Sequence, residues 1–231
     1  MNTKFDRRMK RYEQSAQFYL VRRMPVIIRI DGKAFHTLTR GFKKPFDDVL
    51  MHCMDVTMKS LVKQIQGCVF GYTQSDEISL LLIDYKTLES EAWFDYRIDK
   101  LCSIVASMAT LYFNKELAKE IITTQYSGVY EDAFDKGALF DARAYNVPRE
   151  DVNNYFIWRQ SDCKRNALQS IAQYYFSDRE LQGKKAADMI KMLQGHVDWE
   201  KVDKRKRFGW GYPQDIVFMD NDRIEKLVYC D

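Results

Sequence analysis

Two apolar regions, each with an acidic residue at its edge, constrain the fold of this chain more than any other feature. Residues 25–30 read Pro-Val-Ile-Ile-Arg-Ile, whose β-branched side chains favour a buried strand, and Asp31 with the following glycine supplies a turn at its end. Residues 68–72 and 78–83 are two further apolar runs with a short polar link, which predicts a hairpin with Asp76 at its turn. The pattern therefore predicts two carboxylates on neighbouring strands, where they can share divalent cations.

The order of the predicted elements indicates the fold class. Apolar residues at helical spacing predict helices over about 47–66 and 93–117, and a further strand is predicted at 138–145. With the segments above, the order is strand, helix, strand, strand, helix, strand. This order is typical of the α+β split βαβ, or ferredoxin-like, arrangement, an antiparallel sheet with both helices on one face.

The last third of the chain is predicted to be mainly helical, beginning with a helix from residue 149. The stretch 209–213 is interpreted as a turn or loop, followed by a short strand at 216–219. Since no linker divides the sequence, we predict a single catalytic domain over 1–231. It consists of a core at about 25–148 and a helical C-terminal extension at about 149–231.

Length and charge set the outer bounds of function. With 231 residues and 46% hydrophobic residues, the chain can bury a substantial core. The formal net charge is only +3, but the basic residues are clustered, which in an enzyme of phosphate chemistry favours a polyanionic substrate such as RNA or DNA. The clusters lie at residues 4–11, 22–23, 184–185 and 201–207.

The cysteines and histidines are not arranged as metal ligands along the sequence. The five cysteines are odd in number and lack a paired zinc spacing, which is typical of a reduced, intracellular protein. His52 and His196 have no carboxylate or cysteine neighbours at ligand spacing and are interpreted as ordinary core or surface residues. Residues 2–14 lack the apolar region of a signal peptide, so we expect a soluble, cytoplasmic protein.

The charge of a nucleoside triphosphate indicates what the two carboxylates can do. A triphosphate carries about four negative charges, and in-line attack at phosphorus needs cations that bridge nucleophile, leaving group and enzyme. We therefore predict that Asp31 and Asp76 bind magnesium and that the backbone from Gly32 to His36 approaches the phosphates. The candidate countercharges are three basic residues: Lys44, Arg97 and Lys100.

A series of short motifs follows in a distinctive order. They are Arg29-Ile30-Asp31-Gly32 with Phe35-His36, Lys44-Pro45, Gln74-Ser75-Asp76-Glu77, Arg97 with Lys100, Phe140-Asp141-Ala142-Arg143 with Pro148, and Trp158-Arg159-Gln160-Ser161-Asp162-Cys163. This series resembles that of the tRNA-His guanylyltransferase superfamily and covers about residues 29–176.

The resemblance implies a nucleotidyltransferase that adds nucleotides in the 3′-to-5′ direction on a domain like the palm of ordinary polymerases. Such enzymes first activate the 5′-monophosphate of a tRNA, usually with ATP, and the 3′-hydroxyl of an incoming nucleotide then attacks the activated end. The resemblance also implies two Mg²⁺ ions, ATP and GTP or another NTP as substrates, tRNA as partner, and a tetramer assembled as a dimer of dimers.

The resemblance also assigns roles to residues of this chain. The catalytic residues would be Asp31, Asp76 and Glu77, and the magnesium ligands Asp31, the Gly32 carbonyl and Asp76. The nucleotide would contact Asp31, Gly32, Lys33, Ala34, Phe35, His36, Lys44, Ser75, Asp76, Arg97 and Lys100. The tRNA would contact Arg159, Lys164, Arg165, Asn166, Lys206 and Arg207.

One segment departs from the family pattern. Eukaryotic guanylyltransferases carry His-Ile-Asn-Asn-Leu-Tyr-Asn after the Asp-Cys pair, whereas residues 164–170 here read Lys-Arg-Asn-Ala-Leu-Gln-Ser. The departure favours the guanylyltransferase-like branch, which extends truncated tRNA 5′ ends with the opposing strand as template. The alternative is the addition of a single guanosine to tRNA-His.

Two more distant classes share parts of the pattern. A nucleotidyl cyclase-like palm enzyme would use the same carboxylates without a polynucleotide. A non-catalytic RNA-binding module would use exposed aromatic residues on a ferredoxin-like sheet. The strand predicted here is aliphatic and ends in a carboxylate that repels phosphate unless a metal is bound, so RNA binding without metal chemistry is the weaker hypothesis.

Overall fold

A five-stranded antiparallel sheet organises the residues that the computed structural model describes, 3–124 and 128–214. The strands are β1 (Val26–Gly32), β2 (Cys68–Gln74), β3 (Glu77–Leu82), β4 (Phe140–Asn146) and β5 (Trp210–Pro213). Their order across the sheet is β4-β1-β3-β2-β5. The strand predicted at 216–219 lies outside the described residues.

The helices of the described residues include those predicted at about 47–66, 93–117 and from 149, and others, such as Lys4–Gln14, that were not predicted. They are α1 (Lys4–Gln14), α2 (Phe35–Leu38), α3 (Asp48–Gln64), α4 (Ile98–Thr124), α5 (Val129–Lys136), α6 (Val152–Tyr175), α7 (Asp178–Leu181), α8 (Ala186–Leu193) and α9 (Lys204–Phe208). Short 3-10 turns lie at Trp93–Tyr96, Arg149–Asp151 and Trp199–Lys201. Among the described residues, none of these helices combines the length and the apolar character needed to cross a membrane.

The predicted fold class is confirmed. Strands β1 to β4 alternate with α3 and α4 in the order βαββαβ, and both helices pack on one face of the sheet. The β-branched residues Ile28 and Ile30 of β1 are fully buried beneath them. These two positions are two residues apart, as expected for one face of a strand.

Strand β5 corrects the prediction of a loop at 209–213. The sequence Trp-Gly-Tyr-Pro has low strand propensity because it contains glycine and proline. The free edge of β2 nevertheless pairs with it, from Thr73 opposite Trp210 to Phe70 opposite Pro213. The strand therefore depends on a partner more than 130 residues earlier in the chain, as the numbering of these pairs shows.

The second face of the sheet is covered by the start of α6. Phe156 is buried with Ile27, Phe70 and Leu81, and its ring centroid lies 4.8 Å from that of Phe70. Helix α6 then continues past the end of the sheet and packs against α8 and α9. The helical extension is thereby joined to the sheet by an apolar contact.

Two local features place the site at one end of the sheet. Asp31, the residue before the last of β1, lies opposite Glu77, the first residue of β3. The two-residue turn Ser75-Asp76 joins β2 to β3, and Ser75 has a left-handed φ of 49°. The Gly32 N–H donates a 3.0 Å hydrogen bond to the Asp76 carbonyl, so the turn lies directly against the end of β1. The predicted hairpin is confirmed.

Candidate active site

Asp31 and Asp76 form the acidic end of the sheet. Both are partly buried. Burial raises the pKa of Asp76 above its ordinary value, the negative charge of Asp31 raises it further, and Arg29 together with hydrogen bonds from Ser75 and the backbone lowers it. The two carboxylates are therefore close enough to repel each other, and a bound cation would relieve that repulsion.

Glu77 belongs to a buried ion-pair network. Arg159 of α6 donates a hydrogen bond to each oxygen of its carboxylate, with Nε 2.6 Å from Oε1 and Nη2 2.7 Å from Oε2. The residues are 6% and 3% exposed, respectively. Burial raises the pKa of Glu77, whereas Arg159 and Arg29 lower it. Because arginines engage both of its oxygens, Glu77, expected to be catalytic, lies beside Asp31 as a group that positions Arg29.

Arg29 links this network to Asp31. Its Nη2 lies 2.6 Å from Glu77 Oε2 and 3.0 Å from Asp31 Oδ1. Arg29 belongs to one of the sequence motifs, but the sequence alone indicated no role for it. Its position on β1, two residues before Asp31, puts both side chains on the same face of the strand.

The second oxygen of Asp31 is a candidate metal ligand. Oδ2 is buried and accepts no hydrogen bond; the Arg143 guanidinium lies 3.0 Å away without hydrogen-bond geometry. Magnesium is usually held by one or two carboxylates together with substrate phosphates. The two carboxylates of Asp31 and Asp76 and the adjoining Gly32 fit that requirement.

A cleft of about 400 Å³ is lined by Asp76 and by Gly32, the residue that follows Asp31. Its volume lies within the usual range for small-molecule sites. The walls come from the turn after β1, the loop before α3, the β2–β3 turn, α6 and α9. Among the lining residues are Gly32, Ala34, Phe35, His36, Lys43, Lys44, Asp47, Gln74, Ser75, Asp76, Cys163, Asn166, Ala167, Ser170, Arg205 and Lys206.

Asp47 fixes the loop that carries the cleft lysines. Its carboxylate accepts hydrogen bonds of 2.9 Å from the backbone N–H groups of Lys43 and Leu50, and a third from the Tyr130 hydroxyl. The bond to Leu50 caps the N-terminus of α3. Lys43 and Lys44 remain exposed at the cleft and can meet a negatively charged ligand.

Two basic residues of α9 close the other side of the cleft. Lys206 Nζ lies 3.3 Å from Asp48 Oδ1, and Arg205 binds the Asp55 carboxylate, with Nε 3.2 Å from Oδ2. Arg205 was not singled out as a site residue from the sequence, although it belongs to the basic cluster at 201–207. Pairing to α3 holds both cations at the cleft wall.

Most of the predicted nucleotide-binding residues are brought together by the fold. Gly32, Ala34, His36, Lys44, Ser75 and Asp76 line the cleft, whereas Asp31, next to Gly32, and the exposed Lys33 do not. Phe35 also lines the cleft. The Phe35 ring is 4% exposed and packs on Phe113 and Phe140. A Cβ atom at Gly32 would lie 2.3 Å from this ring, so only glycine fits the turn.

Arg97 and Lys100 lie elsewhere. Arg97 precedes α4, bridges to Tyr19 and pairs with Asp99, with Nε 2.8 Å from Oδ1. Val21, two residues after Tyr19, donates a backbone hydrogen bond to the Asn146 side chain. Asn146 lies opposite Val26, at the end of β1 remote from Asp31. The structure therefore does not bring either residue into the cleft of the same chain.

The predicted tRNA-binding residues divide into three groups. Arg159 is engaged by Glu77, and Arg207 is 6% exposed and pairs with Glu200, so these two buried residues do not offer a surface to tRNA. Lys164 and Arg165 are exposed on α6. Asn166 and Lys206 line the nucleotide-sized cleft itself.

Comparisons with known proteins agree with this architecture. The family described as tRNA-His guanylyltransferase (Thg1) matches residues 6–148. The tRNA(His) guanylyltransferase of Debaryomyces hansenii is 32% identical over 165 residues, 68% of this chain and 58% of that protein. An uncharacterised protein of Acanthamoeba polyphaga mimivirus is 28% identical over 231 residues, 93% of this chain and 78% of that protein.

Solved structures extend the agreement to the whole fold. A bacterial tRNA(His) guanylyltransferase (Thg1)-like protein in complex with ATP gives a TM-score of 0.83 at 37% identity, covering 91% of this chain and 89% of that one. A complex of such a protein with GTP gives 0.78 at 35% identity, covering 95% and 88%. Fold and relatives together identify a nucleotidyltransferase. The chain belongs to the tRNA-His guanylyltransferase family, and it spans about half the length of curated guanylyltransferases that it matches.

Removing Arg159 should destabilise the protein strongly. Arg159→Ala leaves the Glu77 carboxylate buried with Arg29 as its remaining partner, and breaking a buried pair in this way costs about 3–5 kcal/mol. The matched control is Arg165→Ala on the exposed side of the same helix, expected within about 0.5 kcal/mol of the wild type. Urea denaturation measures both. Equal, small losses would show that the network does not hold the sheet end together.

The raised pKa of Asp76 predicts a pH-dependent stability difference. The folded state binds the Asp76 proton more tightly than the unfolded chain. Ionisation of Asp76 therefore lowers stability as the pH rises from about 3.8, the ordinary pKa of an aspartate, toward and through the raised pKa. In a metal chelator, Asp76→Asn should therefore be more stable than the wild type at pH 7, with the difference shrinking toward pH 4. Urea denaturation across this range tests the sign, and a less stable Asp76→Asn at pH 7 would contradict it.

Proposed function

We propose that this protein adds nucleotides to tRNA 5′ ends in the 3′-to-5′ direction, with the opposing strand as template, and so repairs truncated tRNAs. The 5′-phosphate would first attack the α-phosphorus of ATP and release pyrophosphate. The 3′-hydroxyl of the incoming NTP would then attack the activated 5′-phosphorus, releasing AMP and a proton. The observation that carries the proposal is the pair of carboxylates, Asp31 and Asp76, at the edge of a basic cleft in a nucleotidyltransferase fold. Similar bacterial proteins have been solved with ATP and with GTP, which supports nucleoside triphosphates as substrates.

Each part of the cleft would have its own task in this reaction. Asp31, the Gly32 carbonyl and Asp76 would hold two magnesium ions. When bound, these ions would neutralise the phosphates and orient the attacking and leaving oxygens. Arg29, itself held by Glu77, keeps the Asp31 carboxylate in place. Because both steps displace a leaving group at phosphorus, positioning and charge neutralisation suffice without a covalent protein intermediate.

Basic side chains would bind the polyanionic substrates. Lys44, which is exposed, and Arg205 and Lys206, which also pair with carboxylates of α3, line the cleft and would contact the phosphates. The exposed residues Lys164 and Arg165 lie on α6 next to cleft residue Asn166, where a tRNA end would approach.

We further propose a cytoplasmic location, favoured by the odd number of cysteines, and a dimer-of-dimers tetramer, based on the family resemblance.

The segment that departs from the eukaryotic motif lies at the cleft. Asn166, Ala167 and Ser170 all line it. Asn166 matches the eukaryotic motif, whereas Ala167 and Ser170 differ from it and would face the bound nucleotide. This placement supports selection of the nucleotide by pairing with the template rather than by the guanylyltransferase motif. The second candidate function is addition of one guanosine to tRNA-His, favoured by the names of the curated relatives.

Template dependence is the decisive test. We expect the protein, given ATP, Mg²⁺ and each NTP in turn, to extend 5′-phosphorylated tRNAs that lack their first nucleotide, adding the complement of the opposing base. A mismatched base misplaces the attacking hydroxyl, and small misplacements cost large factors in rate. Asp31→Asn is the inactive control, expected to lose activity on the order of a thousandfold.

The other outcomes of this assay separate the alternatives. Guanosine added only to tRNA-His, whatever the opposing base, would establish the second candidate function. A cyclic product formed from an NTP alone would indicate cyclase chemistry. Magnesium-independent tRNA binding without any addition would indicate an RNA-binding module.

A pair of lysine variants tests the location of the triphosphate site. Lys44→Ala removes a cation from the cleft and should raise the KM for ATP by about tenfold or more, the value of a charge-assisted hydrogen bond. Lys100→Ala removes an equally exposed cation outside the cleft and should change KM less than about twofold. Steady-state kinetics with varied ATP compares them. A larger effect of Lys100→Ala than of Lys44→Ala would show that the nucleotide binds near Lys100, as the family resemblance implied, and not in the cleft.

A further inference from the structure

A histidine and two glutamates form a second cluster, separate from the cleft. His52 Nε2 of α3 lies 3.1 Å from Glu116 Oε1 and 3.4 Å from Glu120 Oε1, both on α4. One ligand atom from each residue lies within 4.8 Å of the other two. None of the three residues lines the cleft. The cluster was invisible in the sequence because its histidine and its glutamates are more than 60 positions apart.

The spacing of these atoms suits a metal ion. Bonds of about 2.0–2.2 Å to nitrogen and oxygen in a tetrahedral site require ligand atoms about 3.3–3.5 Å apart. The two separations from the histidine nitrogen, 3.1 and 3.4 Å, are within a few tenths of an ångström of that value. The two glutamate oxygens lie within 4.8 Å of each other, so small changes of side-chain angle would complete a set of three ligands.

Burial and charge also favour a cation here. The Glu116 and Glu120 side chains are 10% and 20% exposed, while that of His52 is 48% exposed, so the site has a fixed wall and a side open to solvent. Glutamates at positions i and i+4 of one helix repel each other. Lys119 Nζ, 2.8 Å from Glu116 Oε1, offsets part of this charge and would compete with a metal.

We propose that His52, Glu116 and Glu120 bind a divalent transition-metal ion that cross-links α3 and α4. Imidazole combined with carboxylates suits zinc, cobalt or nickel better than magnesium, and zinc commonly takes three protein ligands with a water in the fourth position. The proposal is independent of the proposed reaction, since it uses none of the cleft residues.

The position of the site on α3 connects it to the cleft wall. His52 lies between Asp48 and Asp55, whose carboxylates hold Lys206 and Arg205. A metal ion that ties α3 to α4 at His52 would therefore fix the helix to which both cleft cations are anchored.

Metal titration of the full chain tests the proposal. After treatment with a chelator, and with excess Mg²⁺ present to occupy the Asp31 and Asp76 carboxylates, Co²⁺ should bind one to one with the visible absorption of a low-coordinate site. Zinc at a hundredfold excess over its Kd should raise the Tm by about 5–10 °C. His52→Ala and Glu120→Gln should each weaken binding at least tenfold.

Two further variants make the assignment specific. Lys119→Met removes the cation that competes for Glu116 and should tighten metal binding. If the cluster is only a set of salt bridges, this variant should leave the metal affinity unchanged. His196→Ala, a histidine that stacks on Tyr175, should bind metal like the wild type. Absence of binding by the wild-type protein, or full affinity in both His52→Ala and Glu120→Gln, would overturn the proposal. If His52→Ala fails to fold, Glu120→Gln and Lys119→Met decide it.

Discussion

The buried ion pair between Arg159 and Glu77 is the interaction on which the candidate active site depends. It joins α6 to the first residue of β3, directly opposite Asp31 in the sheet. Glu77 also holds Arg29, and Arg29 holds Asp31. A buried charge is tolerated only when its partners are complete. The orientation of a candidate metal ligand on β1 is therefore set by a helix more than a hundred residues later.

The two faces of the sheet carry different kinds of side chain near the Asp31 end. On one face, Ile28, Ile30 and their neighbours are buried beneath α3 and α4 and hold the strands in register. On the other, charged side chains follow the apolar ones toward the Asp31 end of the same strands. This arrangement follows from the two-residue period of a strand, because each β1 position belongs to one face only. The acidic site thus rests on a rigid apolar layer.

The cleft combines a part shared with relatives and a part in which this chain differs. Its acidic end is formed by Gly32, which follows Asp31, and by the Ser75-Asp76 turn, all within the motifs that resemble the guanylyltransferase family. Its α6 wall is formed by Asn166, Ala167 and Ser170, within the segment that departs from the eukaryotic pattern. Under the proposed function, the carboxylates would bind the metal ions and the α6 wall would contribute to the choice of nucleotide. Such a division would let activity and specificity change separately.

The sequence by itself determined the elements whose signals are local. The aliphatic strand before Asp31, the hairpin around Asp76 and the helical periods of α3, α4 and α6 follow from neighbouring residues, so the fold class and the two carboxylates could be predicted. Tertiary structure alone decided which charged side chains can contact a ligand in the cleft. Arg97 and Lys100 lie at the remote end of the sheet, and Arg159 and Arg207 are buried in ion pairs. It also decided that β5 pairs with β2 and that His52 meets two glutamates of α4. These features depend on contacts between distant segments, and the burial and partners of a charged side chain are properties of the packed chain rather than of its local sequence.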